Sequence, residues 1–268
     1  MKINLKPIKN VILSIAVAFA LSACGKSETN KDSIIAKPKD YTPQAQELII
    51  LDRLTTNELV DFLDGQETLL FEEKLIATSA VNVSKEYNDN QVSADQKFYK
   101  KRILVNGIIA SINSGLGNEP YISLRGENVF MNPQIHFSES NIEKIAKLKK
   151  SQKLSFVCEG GGSVAGVPIF RKCIFADDYA AKIIATIKPK VQSFLAGNDI
   201  QSDTISQLAI GTIVITRELP KTSTCFTDGT KCSTDIQKLL KDKIEEKMAT
   251  VTEELRLLDI KIPQKPNN

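Results

Sequence analysis

The feature that most constrains this chain is the way its apolar residues change period between Asn90 and Phe175. Lys101–Ile112 (KRILVNGIIASI) is rich in branched apolar residues, and Gly107 interrupts it, as glycine does where a barrel strand must bend. Tyr121–Arg125 is a short run that stops at Gly126. Asn128–Phe137 alternates, with Val129, Met131, Ile135 and Phe137 on one side and Asn128, Asn132, Gln134 and His136 on the other. That period of two is the mark of a half-buried strand. Ser140–Lys150 switches to helical spacing through Ile142, Ile145, Ala146 and Leu148. Lys153–Cys158 alternates again, Glu159–Pro168 (EGGGSVAGVP) reads as a turn, and Ile169–Phe175 forms a last strand with Ile169, Cys173 and Phe175 sharing a face. Strands with a single helix before the fourth have the order of a small Greek-key barrel.

This is the order of an OB-fold, and the local wording narrows it. Tyr87–Lys101, containing Asn90 and Ser93-Ala94-Asp95, leads into Ile103–Ile109 and the turn on Gly107. Leu148–Ser155 leads to Cys158-Glu159-Gly160 and then Cys173-Ile174-Phe175. Over roughly residues 80–177 this resembles the tRNA-anticodon-like OB-fold family of bacterial envelope proteins. Its members often open with an asparagine–alanine–aspartate–tyrosine segment, turn on a glycine in the first strand, and close on a cysteine near the end of the last strand. The match is by pattern rather than identity, with Ser93 taken as a small residue beside Ala94-Asp95. The resemblance implies a five-stranded OB-fold barrel over 85–177; with the N-terminal helices and the C-terminal helical and hairpin region read from the flanking sequence, the chain is expected to be α+β. The family name records a likeness of fold and does not imply tRNA binding.

The N-terminus has Lys2, Lys6 and Lys9, the apolar run Val11–Leu21, then Leu21-Ser22-Ala23-Cys24. A basic start, a short apolar run and small residues before a cut site read as a secretory signal over 1–23. The run is too short to span a bilayer. Leu-Ser-Ala-Cys resembles the lipobox of bacterial lipoproteins, which implies acylation (diacylglycerol and palmitate) of Cys24. Residues 24–40 read as a polar, flexible tether. Gly25 in place of aspartate, by resemblance to enterobacterial sorting, favours the outer membrane, with the protein facing the periplasm. The chain carries 35 basic and 32 acidic residues; the signal removes three lysines and no acid, leaving 32 of each. That balance lacks the electrostatic footprint of a nucleic-acid binder, so no nucleic acid is expected.

Cys158, Cys173, Cys225 and Cys232 suit an oxidising compartment. Four cysteines allow three pairings, and spacing alone does not choose. Cys158 with Cys173 would need a bulged or asymmetric hairpin. Cys225 and Cys232 face each other if Asp228-Gly229 is a two-residue hairpin turn. No cysteine spacing suits zinc and His136 is the single histidine, so no metal or cofactor is expected.

Flanking the barrel, 41–84 reads as a helical prelude. Thr42-Pro43 starts a helix, Thr55-Thr56-Asn57 breaks it, Gly65 ends it, and Thr68–Ser84 forms a second. Region 178–262 reads as α+β: Asp177–Lys190 and Val191–Ala196 helical with a break at Pro189, Gly211–Thr216 a strand by β-branching, Cys225–Cys232 a hairpin. A capping box at Thr234–Gln237 then opens the longest helix, to about Asp259, before the tail 263–268. Its stripe (Ile236, Leu240, Ile244, Met248, Val251, Leu255 and Leu258) packs on its own domain or, as the alternative, mediates self-association.

Catalytic motifs are absent from the sequence: no Gly-x-Ser-x-Gly, no Walker-type loop, no histidine pair. Gly160-Gly161-Gly162 joins two strands, whereas a phosphate loop joins strand to helix. OB-folds usually bind on the outer face of strands two and three. Here Tyr121, Arg125, Phe130, Gln134 and His136, with Ser123 and Asn132, are candidates for holding a sugar or an anionic group, unless the flanking helices cover that face. The expectation is a non-catalytic, membrane-anchored binding or scaffold module with an envelope protein or glycan as ligand. The alternatives are an envelope-modifying enzyme or accessory factor and, of another class, nucleic-acid binding.

Overall fold

The computed structural model describes residues 41–71, 73–137, 141–240 and 244–263. The expected signal 1–23, Cys24, the tether 24–40 and all but the first residue of the tail lie outside the described residues. The chain forms two compact units, one of residues 59–183 and one of 1–58 with 184–268.

The first unit is built on six strands: β1 (Ile76–Ser79), β2 (Arg102–Ser114), β3 (Pro120–Leu124), β4 (Gln134–Phe137), β5 (Lys153–Val164) and β6 (Val167–Phe175). They run in the order β1-β2-β3-β4-β6-β5, and β5 returns to pair with β2, closing a five-stranded barrel with β1 added outside the ring. The long β2 makes closure possible: Arg102–Ile108 pairs with β5 while Ile109–Ser114 pairs with β3. The change of partner falls beside Gly107, where a Cβ would come within 3.0 Å of both Ala80 and Leu124. The glycine expected to bend the strand is thus also the place where a helix approaches it. The barrel is the OB-fold that strand order and wording imply.

The barrel's core contains Ile103, Val105, Ile109, Ile122, Leu124, Ile135, Phe156, Phe170 and Phe175, closed at one end by Ile145 and covered by Ala80, Val83, Tyr87 and Phe98. The last four come from α2 (Ala80–Asp89) and α3 (Gln91–Phe98). Ser79 caps α2 by accepting from the Asn82 N–H, and Asn90 caps α3 by accepting from Ser93.

Four expectations are corrected here. The second prelude helix, Thr68–Ser84, is not formed; Ile76–Ser79 instead runs parallel to Ile103–Asn106. A ladder to β2 outweighs the helical spacing of a segment this short, and Ser79 delays the helix to Ala80. The strand expected over Asn128–Phe137 begins only at Gln134. Asn128 turns the chain before it, accepting from the Phe130 N–H through Oδ1 and from the Met131 N–H through its carbonyl. The helix expected over Ser140–Lys150 shrinks to α4 (Ile142–Ala146), because Gln152 Oε1 takes the Lys149 N–H that would continue it. The turn expected over Glu159–Pro168 is mostly strand: β5 continues to Val164, and the turn is Ala165-Gly166, both at positive φ. The glycine triplet lies inside β5 because other chain segments press on it. A Cβ at Gly160 would sit 2.0 Å from the Phe98 carbonyl oxygen, and Gly160 exchanges backbone bonds with Lys100 and Lys101.

Cys158 is bonded to Cys173, with Cα atoms 4.1 Å apart and both residues fully buried. A bulge places them. Val157 pairs with Ile174 and Glu159 with Arg171, so one residue of β5 stands against two of β6, and Lys172 takes φ 49°.

Among its described residues the second unit contains helices and no strand. It takes residues from α1 (Ala45–Leu63) and α5 (Ala176–Leu195), both of which run across the division, and holds α6 (Asp203–Glu218), α7 (Cys232–Leu239) and α8 (Ile244–Leu257). The expected break in α1 does not occur: Thr55 Oγ1 donates to the Leu51 carbonyl and Asn57 Nδ2 to the Arg53 carbonyl, so these polar residues bond back along the helix. Helix α5 likewise continues through Pro189, with Ile187 and Val191 buried on either side.

The strand expected over Gly211–Thr216 is also corrected. The segment lies inside α6, which Ser202 caps by accepting from Ile205. An apolar run buried all round has no period to separate strand from helix, and the Thr212 and Thr216 hydroxyls are satisfied by the Leu208 and Thr212 carbonyls. The C-terminal region is therefore not α+β among the described residues. The hairpin is replaced by a short 3₁₀ turn, Thr224–Phe226, capped by Ser223. Asp228 accepts from both the N–H and the hydroxyl of Thr230. Cys225 and Cys232 are nonetheless bonded, Cα atoms 4.5 Å apart, because the turn brings Cys225 to the start of α7. The single long C-terminal helix appears as α7 and α8, and its capping position is Lys231, not Thr234. Ile236, Leu240, Ile244, Met248, Val251 and Leu255 are all buried. The stripe up to Leu255 is buried within the chain's own fold, with Leu258 half-buried and Arg217 of α6 paired to Glu254 of α8 at 2.7 Å.

Candidate binding face

The antiparallel pair β3–β4 sets Tyr121 opposite His136, Ile122 opposite Ile135, and Ser123 opposite Gln134. Ile122 and Ile135 are fully buried in the core. Successive residues of a strand point to opposite faces, so Tyr121, Ser123, Gln134 and His136 stand on the outer side of the barrel, Ser123 itself buried there. Tyr121 and His136 stack, ring centroids 5.1 Å apart and planes 11° from parallel. His136 Nε2 is 3.2 Å from Gln134 Oε1. On the neighbouring β2, Asn113 Nδ2 donates to Ser111 Oγ at 2.9 Å and to Ser123 Oγ at 3.3 Å. The result is a shelf of two stacked rings beside a row of amides and hydroxyls. Tyr121, Gln134 and His136 are half-buried, neither covered over nor fully exposed.

Burial pushes the His136 imidazole below its ordinary 6.5, and the positive charge of Arg171 pushes it the same way against a smaller opposing effect of Glu119. Burial and Arg171 both favour the uncharged ring. Its contact with Tyr121 is ring on ring, and its two nitrogens divide donor and acceptor roles.

Of the residues singled out in the sequence, the structure brings Tyr121, Gln134 and His136 into one site. Arg125 follows β3 and turns its guanidinium to Ser151, Nη2 to Oγ 2.9 Å. Phe130 lies on the β3–β4 loop, 83% exposed, and Asn132 on the same loop accepts from the Gly126 N–H. Ser111, Asn113 and Arg171 were missed. Asn113 lies just past the expected end of the first barrel strand. Simple alternation puts Arg171 on the side of Ile169 and Cys173, but the bulge at Lys172 turns Phe170 and Cys173 inward and leaves Arg171 outside.

Chemically, the face can stack a ring and exchange several hydrogen bonds with it, next to one arginine charge. Among the described residues, no group of three or more His, Cys, Asp or Glu side chains is placed to hold a metal ion. No buried side-chain nitrogen or oxygen among them lacks a hydrogen-bond partner, and no helix among them is long and apolar enough to cross a membrane.

Among solved structures, the chain is similar to a "putative nucleic acid-binding lipoprotein" of Klebsiella pneumoniae, at 17% identity and a TM-score of 0.32, over 38% of this chain and 91% of that one. No curated protein matches. A model of the tRNA_anti-like family matches residues 1–174, ending one residue short of the last barrel residue, Phe175. With well over half its length in that match and a closed OB barrel inside it, the chain belongs to the tRNA_anti-like family.

Proposed function

We propose that this protein is a non-catalytic binding module, anchored through an acylated Cys24 in the bacterial envelope, facing the periplasm from the outer membrane, which takes its ligand on the Tyr121–His136 shelf. The observation that carries the reading is the stacked, half-buried ring pair with its amide row, set on the outside of β3 and β4. The ring face that each of Tyr121 and His136 leaves outside their mutual stack suits the flat side of a sugar, and Gln134 with Asn113 suit its hydroxyls. A glycan is therefore the ligand class preferred over a protein segment. The anchor is supported by the Leu-Ser-Ala-Cys signal; Cys24→Ser should leave the protein unprocessed or soluble, and a variant that is cut yet still fractionates with membranes would refute the anchor.

A second reading has a specific feature in its favour: stacked aromatics beside Arg171 also suit the bases of a single strand. The balance of 32 basic and 32 acidic residues beyond the signal weighs against it. Titration with peptidoglycan fragments and, separately, with single-stranded oligonucleotides over a salt series tests both. Saturable, salt-insensitive binding of the glycan, weakened about tenfold or more in Tyr121→Ala, supports the first reading; ring contacts to a ligand are of that size. Tight, salt-steep oligonucleotide binding would replace it with the second. Glycan binding untouched by Tyr121→Ala would remove the shelf from the site.

A further inference from the structure

The β3–β4 loop is firmly built yet displays what a soluble loop ordinarily hides. Ser84 Oγ donates to the Met131 carbonyl at 2.7 Å and accepts from the Glu127 N–H at 3.0 Å. Asn132 accepts from Gly126 at 3.0 Å through Oδ1 and donates to the Val129 carbonyl at 3.3 Å. A Cβ on Gly126 would lie 2.0 Å from the Met131 carbonyl oxygen, so the loop closes on a position where only glycine fits. On top of this frame, Val129 is 77% exposed and Phe130 83%.

Two further apolar tips stand beside it. A Cβ on Gly166, in the β5–β6 turn, would lie 3.6 Å from Met131 Sδ and 3.9 Å from Gln91 Nε2. The turn carries Val164, 61% exposed, and Gln91 precedes Val92, 70% exposed. Four large apolar side chains from three chain segments thus project at one end of the barrel. Single exposed apolar residues are ordinary, whereas several together mark a contact surface.

We infer that this end of the barrel dips into the phospholipid bilayer that holds the anchor, with Phe130 at its tip. The inference rests on the anchored reading above. From Cys24 to Tyr41 the chain spans at most about 60 Å when fully extended, so the one apolar phase always within reach of an anchored copy is the bilayer itself. That confinement makes even a weak contact effective. The form of the surface agrees. The side chains stand out separately from a loop, the end of β5 and a helix start, as suits a fluid interface. Charge agrees as well: the β3–β4 segment carries Arg125 and Glu127, one of each sign, and the segment bearing Val92 carries the acidic Asp89 and Asp95, so insertion is driven by apolar area and does not call for anionic lipid.

The chain contains no tryptophan, so Phe130→Trp gives the full-length acylated protein a single reporter at the tip. A second variant, Leu257→Trp, places the reporter at a residue of the other unit that is 74% exposed. Each is reconstituted on zwitterionic phosphatidylcholine vesicles, with and without brominated acyl chains, and floated on a gradient. The expected result is a blue-shifted emission for Phe130→Trp, quenched about twofold or more by the brominated lipid as for a side chain at the acyl boundary, with Leu257→Trp unshifted and unquenched. Co-flotation with an unshifted, unquenched Phe130→Trp would overturn this inference alone. Equal quenching at both positions would overturn it too, since the contact would not be selective. Failure of the acylated protein to float would overturn the anchored reading and this inference with it.

Discussion

Replacing Cys158 and Cys173 together by alanine should cost the barrel more stability than any other two-atom change in it. The bridge spans 15 residues of sequence, and closing a loop of that size is worth about 3 kcal/mol in the chain-entropy model. The bridge between Cys225 and Cys232 spans 7, which by the same relation is worth about 2.3 kcal/mol. Both barrel cysteines are fully buried in the cluster that holds Phe156, Phe170 and Phe175. Removing each sulfur also removes apolar volume of about a methylene, roughly 0.8 kcal/mol apiece. The expected loss for Cys158→Ala with Cys173→Ala is therefore about 4–5 kcal/mol, a large part of the stability of an ordinary domain. The assay is urea unfolding followed by near-ultraviolet circular dichroism. Four of the five tyrosines, Tyr87, Tyr99, Tyr121 and Tyr179, lie in residues 59–183, so that signal reports on the barrel unit. A loss below about 1 kcal/mol would refute the reasoning, because the loop closed by the bridge would then not restrict the unfolded chain. A non-reduced digest linking either barrel cysteine to Cys225 or Cys232 would refute the premise.

Gly160→Ala should impair folding of the barrel despite adding one methyl group, because its Cβ would lie 2.0 Å from the Phe98 carbonyl oxygen, a backbone atom with no rotamer to move into. Gly117→Ala, with nothing within 4 Å, should cost only the strain of its positive φ, and equal losses in the two variants would refute the steric account. Glu73→Gln tests the acid side of stability. The hydrogen bond from Arg102 holds the Glu73 carboxyl below its ordinary 4.5, so its contribution is present above about pH 4.5 and is lost as pH falls through the lowered value. Wild type should exceed Glu73→Gln at pH 7 and converge with it as pH falls below 4.5 through the lowered value, and a difference that stays constant through that fall would remove the linkage.

Much of the barrel was legible from the sequence because its strands carry their own period. The alternation of Leu154, Phe156 and Cys158, the branched run around Gly107 and the helix before the fourth strand are local patterns, and they suffice for the order of an OB-fold. The family-like wording around Asn90 and Cys173 agreed. Half of the site was legible for the same reason: Gln134 and His136 share a parity along one strand, and Tyr121 lies on the preceding strand. Their stacking was not, since it depends on the register that sets Tyr121 opposite His136.

Where the sequence misled, a partner distant in the chain decided the outcome. Ile76–Ser79 became a strand because β2 offered it a ladder. Gly160, Gly161 and Gly162 stayed in β5 because the Phe98 carbonyl and the β6 backbone approach them, and a glycine chosen for close approach looks the same in sequence as one chosen for a turn. The β-branched run ending at Thr216 became helix because it is buried on all sides, which erases the period that separates the two states. Phe130 left its expected strand because Ser84 and Asn132 hold the loop elsewhere. Arg171 and Cys173, of equal parity in the sequence, ended on opposite faces because one extra residue in β6 shifts everything beyond it. The sequence by itself determined the elements whose apolar period is their own; tertiary structure decided those whose hydrogen bonds and burial depend on another segment's position.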